Sequence, residues 1–212
     1  MIKKAKAGAK RNPERTKGRL LRAAIRLYSA KGFHGVAVDE IVELAGTNKR
    51  MVYHYFGSKQ GIYLAALVEV FSRLAQVEIH ALEDTAPPDE KLQHLLAANF
   101  KFLDENPEFV RLLLWENLAE GRHISRHPEL VNKNPFMDRF RAIIHEGVAQ
   151  GIFHAPRDIK HLLINIIALC FIYYSNHFSL AISLRVKLDS PRNRALRLTQ
   201  ATDLLFRGLK AK

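Results

Sequence analysis

Residues 38–59 read VDEIVELAGTNKRMVYHYFGSK, and few folds accommodate that order of residue types. Ile41, Leu44 and Ala45 fall at helical spacing and mark one short helix with those three facing inward. Gly46 makes a turn, and Asn48 is placed to cap the next helix. In that second short helix Val52 and Phe56, four apart, share the face that points to the core. Gly57 and the pair Ser58-Lys59 then end it and open a third. Two short helices about a glycine turn form a helix-turn-helix, which presents its second helix to the major groove of DNA.

With Val52 and Phe56 inward, Lys49, Arg50, Tyr53 and His54 fall on or near the exposed face of the second helix, flanked by Thr47, Asn48 and Met51. Lysine and arginine reach phosphates or guanine edges, and tyrosine hydroxyls reach phosphates. Lys59 begins the next helix, whose unbonded N–H groups and positive dipole end suit a phosphate. The candidate DNA-binding set is therefore Thr47, Asn48, Lys49, Arg50, Met51, Tyr53, His54 and Lys59.

Charge follows the same division. Of the net charge of +12, residues 1–60 hold 14 Lys/Arg against 4 Asp/Glu, while the remainder holds 19 against 17. A localised basic face attracts the phosphate backbone. Lys3, Lys4, Lys6, Lys10 and Arg11 form an arm ahead of the first helix, suited to the minor groove or to phosphates. That arm has no apolar stretch after it and is not a signal peptide. The lone cysteine, Cys170, excludes an intrachain disulfide and a cysteine zinc site, which fits a cytoplasmic protein. The most apolar segment, Leu162–Tyr174, contains Asn165 and is too short for a bilayer, so it reads as a buried helix and no membrane partner is expected.

Proline and glycine divide the rest. Asn12-Pro13, Asn106-Pro107, Asn134-Pro135 and Ser190-Pro191 each pair a capping residue with proline at the first helical position, and Pro88, Pro128 and Pro156 are further helix starts. Gly32, Gly46, Gly57, Gly121 and Gly151 sit where helices stop. Helices are expected over 13–31, 38–45, 48–54, 58–85, 88–105, 107–120, 135–150, 156–183 and 191–209, with a short turn near 128–132. No alternating strand pattern occurs, so the chain is all-α: a three-helix head and a larger helical body, about nine helices in all. The first helix carries Leu20, Ala24, Leu27 and Tyr28 at helical spacing, followed by Phe33, as the core stripe of the head. The divisions are a basic arm over 1–13, the head over 14–74 with its motif at 37–56, and the body over 75–212.

Phe33, Gly35, Val38, Ile41, Ala45-Gly46, Asn48-Lys49, Val52-Tyr53, Tyr55-Phe56 and Ser58-Lys59 together closely resemble the signature of the tetracycline-repressor (TetR) family of bacterial transcription regulators, over about residues 14–74. The resemblance implies that the third helix enters the major groove and that Lys59 touches phosphate. Two positions depart from the family pattern. Ala37 stands where a capping, phosphate-binding Ser or Thr is usual, and Arg50 stands where a small residue is common, which makes Arg50 a candidate for operator specificity.

The body carries no motif of comparable specificity. Leu162, Ile166, Leu169, Cys170, Ile172 and Tyr173 surround most of one helix, and the final helix presents Leu196, Leu198, Leu204, Leu205 and Leu209. Such helices need burial on several sides, within one core or against their copies in a symmetric dimer. The resemblance implies that homodimer, through the last two helices, on a palindromic double-stranded operator. It also implies an effector pocket in the body, for which Phe100, Leu103, Trp115, Asn117, Ile144, Asn165 and Tyr173 are candidate lining residues. The ligand is unknown.

Catalysis has little support: no glycine-rich phosphate loop, nucleophile elbow or HExxH sequence occurs. His123 and His127 are the only close pair with metal-like spacing, and no carboxylate cluster accompanies them, so neither metal nor cofactor is expected. The reading is a ligand-responsive, homodimeric, DNA-binding transcriptional repressor without enzyme activity. A constitutive or architectural DNA-binding protein without a ligand is the alternative, and a helical enzyme with a basic surface stands far behind.

Overall fold

In the computed structural model, residues 13–83 and 85–211 are described; the basic arm and Asn12 lie outside them. The described residues form ten α-helices: α1 Pro13–Lys31, α2 Val38–Leu44, α3 Lys49–Phe56, α4 Lys59–Ala81, α5 Pro88–Glu105, α6 Pro107–Leu118, α7 Asn134–Ala149, α8 Ile159–Ser175, α9 His177–Leu184 and α10 Pro191–Leu209. Two 3-10 turns, Ile124–Arg126 and Pro128–Val131, lie between α6 and α7. Extended pairing among the described residues is confined to one isolated antiparallel bridge, Phe153 with Lys210. The described residues form two compact units that divide between Val68 and Glu69, inside α4.

The head is built on the apolar face of α1, where Leu20, Ala23, Ala24 and Tyr28 are buried. Val38, Ile41, Val42 and Ala45 close over that face, with Val52 of α3 fully buried and Phe56 half-buried. Leu44 departs from the inward position expected for it: it is 45% exposed. The i, i+3, i+4, i+7 stripe of α2 is occupied by Val38, Ile41, Val42 and Ala45, and Leu44 falls outside its width. Tyr28 and Tyr63 meet edge to face at 4.9 Å, with Phe33 against both. The Tyr28 hydroxyl donates to the Lys59 carbonyl at 3.2 Å, tying α1 to the first turn of α4, and burial holds its phenol well above the ordinary range.

In the body α5 is central, packed by α6, α7, α8 and α10. Its Leu92, Leu95, Leu96 and Phe100 are buried, as are Phe140 and Ile144 of α7 and Ile166 and Cys170 of α8. The helix expected over 156–183 is broken. Asp158, rather than Pro156, caps its start by accepting the His161 N–H at 2.9 Å, and Asn176 interrupts it, with α9 bent from α8 by 74°. Ser175 and Asn176 are weak helix formers that bond readily to nearby backbone, which explains the break. One expected cap differs: Lys133, not Asn134, holds the cap position of α7. Asn106 does hold the cap position of α6, with Pro107 in the first turn, but its side-chain amide donates to the Phe102 carbonyl at the end of α5 and makes no cap bond. Ser190 does cap α10, accepting the Asn193 N–H at 3.2 Å. Among the described residues no single helix is long and apolar enough to cross a membrane.

Candidate nucleic-acid interface and effector cavity

Gly46 aims α3. It has φ +58°, a left-handed value that an L side chain rarely adopts, and the following Thr47 N–H returns to the Val42 carbonyl at 2.9 Å. Asn48 is extended at the cap position, and its carbonyl, not its side chain, accepts from Met51 at 3.0 Å. Its exposed carboxamide thus makes no cap bond. Asn48, Lys49, Arg50, Tyr53 and His54 are exposed, and Thr47 and Met51 are half-buried beside them. Val52 anchors the opposite face. The seven lie before the start of α3 and along its exposed side.

Electrostatics tether two of the cations. Lys49 Nζ lies 3.0 Å from Asp39 of α2, and that bond raises the lysine above its ordinary pKa. Lys59 Nζ stands 4.7 Å from the Phe33 ring centroid. The Ser58 hydroxyl accepts the Gly61 N–H at 2.9 Å, capping α4, and Gly61 allows a close approach: a Cβ there would overlap the Phe56 carbonyl oxygen. Ala37 offers no side-chain acceptor to α2. Glu40 compensates in part by accepting the Ala37 N–H at 2.9 Å, and it is held below the usual carboxylate range by that bond and by Lys31.

Pattern reading passed over a second basic feature. Arg19, Arg22 and Arg26 line one groove of the head with Leu44 and Ala45, and none of the three has an ion pair among the described residues. Arg19 reaches towards Gly46, at the turn that leads into α3. Their i, i+3, i+7 spacing was legible in the sequence, on the polar side of the α1 stripe.

Within the body a cavity of about 240 Å³ is walled by Phe71, Leu74, Leu103, Phe109, Ile167 and Phe171. Its polar lining includes Glu78, Asn99 and Lys133. Lys133 Nζ and Glu78 Oε2 are 2.6 Å apart. Burial pushes the Glu78 carboxyl up, and Lys133 opposes the shift. Of the seven residues proposed for a pocket, Leu103 lines this cavity. Phe100, Ile144 and Tyr173 are buried in the surrounding core, and the Tyr173 hydroxyl donates to Leu188 at 2.6 Å. Trp115 and Asn117 are exposed, and Asn165 lines a separate shallow groove with Leu162, Ile172, Arg197 and Leu204. Beside that groove, Ile164, Ile167, Leu196 and Leu204 leave an apolar face of α8 and α10 open in the single chain. Of the two histidines weighed as metal ligands, buried His123 bonds Glu116 at 2.8 Å, and His127 meets Glu129 at 3.1 Å.

Residues 20–66 match the family described as bacterial regulatory proteins, tetR family, and residues 88–205 match the tetracyclin repressor-like C-terminal domain. The chain belongs to the TetR family. It is 34% identical over 198 residues to the HTH-type transcriptional repressor NicS of Pseudomonas putida, covering 93% of each chain. It is 28% identical over 144 residues to the transcriptional regulator RutR of Escherichia coli, covering 68% of this chain and 66% of that protein. Solved relatives share the fold. The ketosteroid transcriptional regulator KstR2 of Mycobacterium tuberculosis superposes with a TM-score of 0.68 at 20% identity, over 97% of this chain and 99% of that one. The regulator FadR of Bacillus subtilis, solved in complex with stearoyl-CoA, superposes with a TM-score of 0.69 at 18% identity, over 91% and 98%. The protein is thus a DNA-binding transcriptional regulator of the TetR family.

Proposed function

We propose that this TetR-family protein is an effector-responsive homodimeric repressor that binds a palindromic operator in the cytoplasm, with residues 14–74 binding DNA and 75–212 forming the dimer and holding the effector. One observation carries the reading: α4 has Lys59 in its first turn and Glu78, in the wall of the body cavity, in its last. A ligand that favours one arrangement of the cavity wall then acts on the helix that also begins the DNA-binding surface, and binding becomes a population shift. The cavity supports this reading over a constitutive DNA-binding protein.

Within each head, Arg50 and Asn48 read base edges, Thr47, Lys49, Met51, Tyr53 and His54 line the contact, and Lys59 with the α4 N-terminus grips a phosphate. Arg19, Arg22 and Arg26 extend the phosphate contact past the turn. The second copy packs on the open α8 and α10 face, since exposed Ile164, Leu196 and Leu204 form too apolar a surface to leave in water. Sedimentation of the full chain, alone and with DNA from upstream of its own gene, tests the assembly. A dimer in solution and two protomers per half-site pair are expected; a monomer in both states would remove the palindrome.

A further inference from the structure

We propose that the body cavity takes a compact, ring-bearing molecule carrying a protonated nitrogen, which displaces the Lys133 ammonium from the Glu78 carboxylate. The proposal rests on the effector-responsive reading and names the class of effector.

Size sets the first limit. A cavity of about 150 Å³ lined by Leu, Ile and Phe holds benzene, so about 240 Å³ admits a single ring with a short substituent. Phe71, Phe109 and Phe171 supply aromatic walls for it.

Charge sets the second. The two partners of the ion pair are unequal: the Glu78 side chain is 3% exposed and that of Lys133 is 36% exposed. Glu78 is fixed on α4, whereas Lys133 lies on the connection that precedes α7. Removing a fully buried carboxylate from its partner leaves an uncompensated charge, while a half-exposed lysine can turn into water at little cost. The lysine is therefore the partner that leaves, and the incoming group must bring the positive charge it takes away. Asn99 points the same way. Its amide donates to the Leu95 carbonyl at 3.0 Å, which leaves the Oδ1 as an acceptor. The fixed helices α4 and α5 thus offer acceptors to the cavity, and the donors Lys133 and Asn132 come from the connecting segment. A ligand with its own N–H donors replaces the segment's. Occupancy also cuts the tie between α4 and that segment, which gives the ligand different contacts with the two states.

The test uses the full chain and matched probes: benzylamine and 2-phenylethylamine, 3-phenylpropionate with the opposite charge, and uncharged ethylbenzene. Binding is read by calorimetry and by ligand-dependent thermal shift. The amines bind best. Glu78→Gln, close to isosteric, weakens them by about tenfold or more, as loss of a charge-assisted bond requires. Lys133→Ala tightens amine binding, because it removes the internal competitor. Circular dichroism and a cooperative thermal transition establish that both variants fold. Preference for 3-phenylpropionate, weakened by Lys133→Ala, overturns the proposal, and so does silence from every amine in the set. Failure of the wild-type chain to bind its upstream DNA would instead strike the repressor reading, and Glu78-dependent amine binding would stand apart from it.

Discussion

Alanine in place of Arg19, Arg22 and Arg26 together should flatten the salt dependence of DNA binding without touching its sequence preference. Each side chain that neutralises a phosphate contributes about 0.9 to the slope of log K against log salt concentration. Three unpaired arginines per protomer, doubled in a dimer, give a slope shallower by about 5 if all reach phosphate. Between 50 and 200 mM salt that difference amounts to about a thousandfold in affinity. Arg22→Ala alone should remove about 1.8 from the slope. The fold should hold, because all three are exposed on α1 and alanine is the better helix former. The assay is fluorescence anisotropy with labelled upstream DNA and with an unrelated duplex, across a salt series. Both affinities should fall together and their ratio should stay fixed, since phosphate contacts position a protein without reading bases. An unchanged slope refutes the phosphate track, and a changed ratio at constant slope would make the row a base reader instead.

Three further outcomes follow from the packing. Gly61→Ala forces a Cβ onto the Phe56 carbonyl and should cost about 1–3 kcal/mol in thermal or urea unfolding, with DNA binding weakened because the α3–α4 corner shifts; unchanged stability would contradict the close approach. Burial pushes the Cys170 thiol up to about 12, so at pH 8 its alkylation should run roughly a thousandfold slower than that of an ordinary thiol until denaturant is added; rapid labelling of the native chain would place the thiol outside the core. Leu204→Arg, on the open face of α10, should yield a folded monomer by sedimentation with sharply weaker operator binding; a persistent dimer would move the interface elsewhere.

Helix starts and stops were readable because they depend on single residues. Pro88, Pro107 and Pro191 occupy first turns, and Gly46 and Gly57 have φ of +58° and +73° at helix ends. The exposed side of α3 was readable because Val52 alone fixes the rotation of an eight-residue helix. Leu44 misled, since three apolar residues at near-helical spacing do not reveal where the stripe ends. The break at Asn176 was hidden inside an apolar run, where two modest helix formers give little signal. The arginine row was visible in the letters, but its position beside the Gly46 turn is a matter of packing. The cavity lay furthest from view: Glu78 and Lys133, 55 residues apart, meet only after α4 and the connection ahead of α7 are in place. For that reason sequence reading named core and surface residues around the cavity, with Leu103 alone in its wall.

In the proposed function α3 reads DNA through Arg50 while Lys59 holds the backbone. Its most direct test is a mobility shift of the full chain on DNA from upstream of its own gene, with competitor DNA and with Arg50→Ala and Lys59→Ala alongside. A specific complex that survives the competitor is expected. Arg50→Ala should lose about 1–3 kcal/mol of discrimination, and Lys59→Ala should weaken operator and competitor equally. Sequence-indifferent binding by the wild type, or discrimination untouched by Arg50→Ala, would contradict this reading.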